Sequence, residues 1–134
     1  MKVLGIEHIG IAVDNFNNEA PFWKLLMDGN NEYDEEVLEQ KVNTKIFDTT
    51  KGKIELLEAT NPESPIAKFI NKRGKGIHHI CLHVDNINNA LIELKDAGVT
   101  LIDNKPRIGA EGYKIAFVHP KSTGGVLVEL AEKS

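Results

Sequence analysis

Apolar and polar positions alternate along this chain in short strand-like runs, broken by a few stretches of helical spacing. Val3 to Val13 is rich in aliphatic and β-branched residues, which predicts a strand. Alternate side chains of a strand share a face, so His8, Gly10 and Ala12 point one way and Ile9, Ile11 and Val13 the other. The bulky set wants a helix to cover it. One is predicted directly afterwards, with Asp14 or Asn15 as N-cap, apolar positions at Phe16, Trp23, Leu25 and Leu26, and Gly29 near its stop. Pro21 predicts a kink or a separate first turn there. Glu32 to Gln40 is acidic and weakly patterned, and reads as an exposed edge strand or a loop. Val42 to Asp48 and Ile54 to Ala59 are strand candidates joined by the polar, glycine-containing turn at 49–53. Ser64 as N-cap and Pro65 at the first helical position open a short helix carrying Ile66, Ala67, Phe69 and Ile70, which stops before Gly74 and Gly76.

The second half runs through the same order. A strand from Ile77 to Val84 leads into a helix that begins at Asn86, has Ile87, Ala90, Leu91 and Leu94 on one face, and ends at Gly98. Val99 to Ile102 is then predicted as a short strand, 107–112 as a loop or hairpin turn, Tyr113 to His119 as a strand, 120–125 as a second turn, and Val126 to Ala131 as the closing strand. Each half is thus strand, helix and three strands. That βαβββ order predicts an α+β fold rather than an alternating, doubly wound sheet.

The halves also match residue by residue. Ile6-Glu7-His8-Ile9-Gly10-Ile11-Ala12-Val13-Asp14-Asn15 overlays Ile77-His78-His79-Ile80-Cys81-Leu82-His83-Val84-Asp85-Asn86, so His8 falls on His79, 71 positions on. The closing strands match too: Ile54-Glu55-Leu56-Leu57-Glu58 lies over Val128-Glu129-Leu130-Ala131-Glu132, 74 positions on. A module of about 65 residues is marginal alone, so the two are expected to share one core. The expected organisation is a single domain over 1–134, with module one at about 1–60, a linker helix at about 61–75 and module two at about 76–134.

Composition changes this picture little. Hydrophobic residues make up 41% and charged residues 27%, the balance of a globular protein, and the net charge of −4 gives no reason to expect nucleic acid or an anionic membrane as partner. No run approaches the roughly 18 apolar residues of a membrane span, and the segment before the first strand is too short for a signal peptide, so a cytoplasmic location is expected. Cys81 is the only cysteine and reads as a small core residue.

The chemistry lies in the duplicated positions. A glutamate between aliphatic residues of a strand is costly to bury unpaired. Two at equivalent places, each matched by a histidine at the start of its module, ask for a shared partner. A divalent cation held by His8, Glu55, His79 and Glu129 would satisfy all four, in one sheet-lined cavity between modules related by a pseudo-two-fold axis. Two nitrogens and two carboxylates accept cobalt, nickel, manganese or zinc. Singly, each residue has a plainer reading as a satisfied core histidine or an outward strand glutamate; the duplication in one order favours the metal. His78 faces the other side of its strand, His83 lies toward the rim, and Glu58 and Glu132 are expected on the opposite face, solvated.

With these residues in view, the chain resembles the vicinal oxygen chelate (glyoxalase-like) superfamily. Within it, three stretches are similar to the methylmalonyl-CoA epimerase family: residues 58–69, residues 76–81, and the longest and most specific, 115–130 (Ile115-Ala116-Phe117-Val118-His119-Pro120-Lys121-Ser122-Thr123-Gly124-Gly125-Val126-Leu127-Val128-Glu129-Leu130). The resemblance spans nearly the whole chain. It implies one divalent ion per chain, Co²⁺ favoured, and an acyl-CoA substrate whose (R) and (S) epimers interconvert by proton transfer through a metal-stabilised enediolate. It also implies a homodimer. Epimerisation needs proton removal on one face and delivery on the other. The resemblance makes Glu129 one base. Its second acid would follow Glu39-Gln40, but the aligned residue is Thr44, which cannot act as a base at neutral pH. Glu55, related to Glu129 by the repeat, is the expected opposite-face base or the holder of a water in that role.

Lys121 and Ser122, with the glycines that follow, offer a hydroxyl and backbone N–H groups to a substrate oxygen, or serve only as a hairpin turn. Arg107, Lys114 and Lys121 are candidates for CoA phosphates. Ligand spacing alone leaves two alternatives: a glyoxalase I-type lyase acting on a glutathione hemithioacetal, and a metal-free binding protein of the same superfamily.

Overall fold

A computed structural model describes residues 1–133. Its elements are strands β1 (Val3–Val13), β2 (Asn31–Val37), β3 (Val42–Asp48), β4 (Lys53–Ala59), β5 (Gly76–Val84), β6 (Arg107–Ile108), β7 (Lys114–Val118) and β8 (Val128–Glu132), with helices α1 (Phe16–Leu26), α2 (Pro65–Arg73) and α3 (Ile87–Asp96). The βαβββ order therefore holds in both halves. The chain forms two compact units, one of residues 9–78 and the other of residues 1–8 together with residues from 79 onward. The divisions fall inside β1 and β5, directly beside the two matched histidines.

In the unit of residues 9–78 the strands lie in the order β2-β3-β4-β1, with antiparallel pairing of β2 to β3 and β3 to β4. One face of this sheet is covered by α1. Phe16, Ala20, Trp23 and Met27 recur at helical spacing and pack with Ile11, Val13, Phe47, Ile54 and Leu56. Leu25 and Leu26, expected among the core positions, are on the outer side of α1 and exposed. Pro21 does not divide the helix, which runs unbroken from Phe16 to Leu26. In its second turn, proline gives up only one intrahelical hydrogen bond. On the other face, α2 lays Ile66, Phe69 and Ile70 on Ala12, Val42, Leu57 and Ala59. Ser64 caps α2 as expected, its Oγ accepting from Ile66 N at 3.2 Å.

In the other unit the order is β1-β5-β8-β7-β6, with β5 parallel to β8 and both β8–β7 and β7–β6 antiparallel. The α3 stripe of Ile87, Ala90 and Leu91 closes over Val84, Ala116, Val118 and Leu130. The short strand expected at Val99 to Ile102 does not form. Only Leu101 makes a bridge, to Val118, while Val99 and Leu101 turn their side chains into the α3 cluster. Asp103 then accepts from Phe117 N through Oδ2 at 2.8 Å and ends that pairing. The edge position beside β7 passes to Arg107–Ile108, expected as loop.

The matched glutamates of the closing strands were expected in solvent, and the structure corrects this. Glu58 Oε2 accepts from Phe16 N at 2.8 Å, and Glu132 Oε1 accepts from Ile87 N at 2.9 Å. In both halves the last strand thus reaches back to the first N–H of the module's helix. Asn15 and Asn86 accept at the third, each at 2.9 Å. These N–H groups have no partner inside the helix, and a carboxylate there also meets the positive end of the helix dipole.

Candidate metal centre

Three of the four expected ligands meet within one unit. β5 carries His79 and Cys81 on one face, and Glu129 of β8 lies in register with Cys81 on one side and with Phe117 of β7 on the other. The opposite face of these strands belongs to α3, so a hydrophobic layer backs the site. The first residues of β1 bring His8. Its Nε2 lies 2.9 Å from His79 Nε2 and 3.2 Å from Glu129 Oε1, and His79 Nε2 is 3.0 Å from the same oxygen. All three side chains are less than a tenth exposed. The imidazole planes stand nearly perpendicular, at 86°, and the edge of the Phe117 ring packs on His79 with centroids 5.7 Å apart.

The electrostatics follow from this geometry. Burial pushes the Glu129 carboxyl up, but hydrogen bonds from His79 and His8, and their charge, outweigh it and hold the carboxyl at about 2. Glu129 is therefore ionised at neutral pH. Cys81 behaves oppositely: burial pushes its thiol up to about 12, which leaves a neutral core residue beside the centre rather than a thiolate ligand.

The donor set fits a divalent ion. Two imidazole nitrogens face each other across 2.9 Å, where a single proton can serve only one of them, and an ionised carboxylate completes the triangle. Two nitrogens and an anionic oxygen converging out of solvent suit first-row divalent ions such as Co²⁺, Ni²⁺, Mn²⁺ or Zn²⁺. Glu7, which the strand alternation gave no role, also enters this neighbourhood: its Oε1 is 3.0 Å from His8 Nδ1. An acidic residue beside the matched histidine was the one sequence signal for it.

The remaining candidates are distributed as follows. Glu55 is buried on β4, opposite Ile46 of β3, on the face shared by Thr44, Leu57 and Tyr33. Thr44 is 2% exposed and lies directly across from Glu35 of β2. His78 packs edge-on against Phe69 at 4.9 Å and takes no part in the triangle. Arg107 has its guanidinium 5.8 Å from the Phe117 ring centre and its Nε 3.3 Å from Asp103 Oδ1. Ser122 Oγ accepts from Thr100 N at 2.9 Å. The N–H groups of Lys121, Ser122, Thr123 and Gly125 are all engaged within their own turn, so they hold the loop's shape rather than reach outward.

A βαβββ repeat with an imidazole from each first strand and a carboxylate from a last strand defines a class. The model of the Glyoxalase/Bleomycin resistance protein/Dioxygenase superfamily matches residues 7–117. Among similar proteins, the mitochondrial methylmalonyl-CoA epimerase of Dictyostelium discoideum is 40% identical over 129 residues, covering 96% of this chain and 78% of that protein. The human mitochondrial methylmalonyl-CoA epimerase is 37% identical over 128 residues, covering 95% and 73%. A solved methylmalonyl-CoA epimerase in complex with methylmalonyl-CoA and NH4+ superposes with a TM-score of 0.90 at 31% identity, covering 99% of this chain and 96% of that one. The chain belongs to the methylmalonyl-CoA epimerase family of that superfamily. The family resemblance and the fold class expected from the repeat are both borne out. Among the described residues no helix is long and apolar enough to cross a membrane.

Proposed function

We propose that this enzyme interconverts the (R) and (S) epimers of methylmalonyl-CoA, using one divalent cation held by His8, His79 and Glu129. Glu55 is assigned as the fourth ligand from its matched place in the repeat and its burial. The buried convergence of two imidazoles on an ionised carboxylate carries the reading. The names of relatives that share nearly the whole chain support the substrate.

The reacting proton sits on the carbon between a thioester and a carboxylate. A divalent cation, Co²⁺ being favoured, supplies Lewis acidity that offsets the negative charge left on the thioester when that proton departs. Glu129 takes the proton on one face. In the metal-free protein its carboxyl is held at about 2, so the base role requires that hold on Glu129 to loosen. Glu55, or a water it holds, returns a proton to the other face. Phe117 and the α3 layer behind β8 keep bulk water from this side of the site. Arg107, Lys121 and Ser122 are assigned to the acyl-CoA, Arg107 through its guanidinium and Lys121 through its exposed ammonium. The working form is a homodimer in the cytoplasm.

The test is proton NMR of (S)-methylmalonyl-CoA in deuterium oxide, with and without a chelator. Solvent deuterium should enter the α-position and both epimers should appear, with loss of both on chelation. Glu129→Gln should retain metal and lose exchange on one face. Full epimerisation by the chelated enzyme would overturn the metal assignment, and full activity of Glu129→Gln would overturn the base assignment.

A further inference from the structure

His8 and His79 occupy matched positions but have different surroundings. Glu7 precedes His8, and both are buried, at 3% and 7% exposure. Consecutive strand residues ordinarily point to opposite faces. Here the Glu7 carboxylate instead folds onto the neighbouring ring and meets His8 Nδ1 at 3.0 Å through Oε1. Its other oxygen, Oε2, receives the Lys133 ammonium at 2.7 Å. That ammonium lies 5.5 Å from the centre of the Tyr113 ring. A buried carboxylate needs a partner for each oxygen, and Lys133 supplies the countercharge for the one that does not meet His8. The result is a line of contacts from Tyr113 and Lys133 through Glu7 to His8 Nδ1, with His8 Nε2 at its far end facing His79 and Glu129.

A neutral imidazole carries one proton on two nitrogens, and only the bare nitrogen can ligate. A carboxylate whose other oxygen already accepts from an ammonium can only accept at Nδ1, so it fixes the proton there, turns the Nε2 lone pair toward the other two donors, and makes it more basic. From this geometry we infer that Glu7 is a positioning residue that sets the tautomer and ring orientation of His8 for the cation, and that Lys133 anchors the Glu7 carboxylate in that position. The inference rests on the metal-centre reading of His8, His79 and Glu129, and it assigns a role to two residues outside that donor set.

Glu7→Gln tests it with little change of shape. The amide can offer its NH₂ group to Nδ1, which would move the ring proton to Nε2, the nitrogen needed for the ion. Co²⁺ titration of the metal-free protein, followed by visible absorption and by competition with a chromophoric chelator, should show affinity lower by about 10- to 100-fold in Glu7→Gln. Lys133→Met should show a smaller loss in the same direction. A second measurement needs neither variant nor metal: two-bond ¹H–¹⁵N correlation of the wild-type histidines should give the Nδ1–H pattern for His8. Unchanged Co²⁺ affinity in folded Glu7→Gln, or an Nε2–H pattern for wild-type His8, would overturn the inference. If the wild type binds no Co²⁺ while His8 is Nδ1–H, the metal-centre reading fails; the tautomer assignment then stands, but its purpose does not.

Discussion

The two carboxylates that reach back to helix N-termini give a quantitative test of the fold. Glu132 is the more informative because Ile87, whose N–H it accepts, is fully buried. Glu132→Ala leaves that N–H without its acceptor and removes a negative charge from the helix start. A hydrogen bond to a charged group is worth about 1.5–3 kcal/mol net, and a charge near a helix terminus about 0.3–1 kcal/mol. Glu132 is 22% exposed, so the low end of each range applies. Its 4.0 Å approach to the exposed Lys114 ammonium adds little. The expected loss is about 2 kcal/mol for alanine. For Glu132→Gln, whose amide oxygen still accepts from Ile87, it is about 1 kcal/mol. With a urea slope of about 1.5 kcal/mol/M, the midpoint should fall by about 1.3 M for alanine and half that for glutamine, at unchanged slope. Glu58→Ala should behave likewise through Phe16 N and the weaker 3.5 Å contact from Asn43 Nδ2. The two sites share no partner, so the double variant should be close to additive. Circular dichroism at matched protein concentration measures all four. An alanine midpoint within about 0.2 M of wild type would mean that water replaces the carboxylate, and the argument for a structural link would fail.

Two further outcomes concern the core and the acid limb. Leu91, 4% exposed within the α3 stripe, should cost about 2–5 kcal/mol when cut to alanine, read as a midpoint shift at unchanged slope. The Glu129 carboxyl of the metal-free protein is held at about 2, below its ordinary value of 4.5. Its contribution to stability is therefore complete above about pH 4.5 and is lost as pH falls toward 2. Urea midpoints at pH 5, 4 and 3 should decline in the wild type and decline less steeply in Glu129→Gln; equal slopes would contradict the assignment.

What the sequence made legible divides by the range of the interaction. Asn15, Asn86 and Ser64 were readable as caps because each bonds within three residues. The two histidines and Glu129 were readable because the repeat ties distant positions together. Glu58 and Glu132 were assigned the correct face but the wrong surroundings, since their partners lie 42 and 45 residues away and alternation cannot show what covers a face. Val99 to Ile102 has strand composition, yet Val99 and Leu101 gain more from the α3 cluster than from a ladder. Glu7 was missed because period-two alternation assigned it to the face away from His8, whereas a flexible side chain can fold back on its neighbour.

The same alternation, applied to β8, explains how one short strand serves both stability and chemistry. Glu129 and Glu132 are three residues apart, so they leave the strand on opposite faces. Glu129 enters the imidazole pair, and Glu132 locks the start of α3. Between them Leu130 packs into the α3 cluster and Ala131 into the cluster of Cys81, Ile115 and Phe117. A close-packed strand transmits little of a change on one face to the other as long as it stays paired on both edges, and β8 is paired to β5 and β7. Glu132→Ala should therefore lower the unfolding midpoint yet leave Co²⁺ affinity within about twofold of wild type wherever the protein remains folded. If Glu132→Ala instead weakened Co²⁺ tenfold while still folded, β8 would be a lever between helix and metal, and the separation of its two faces would not hold.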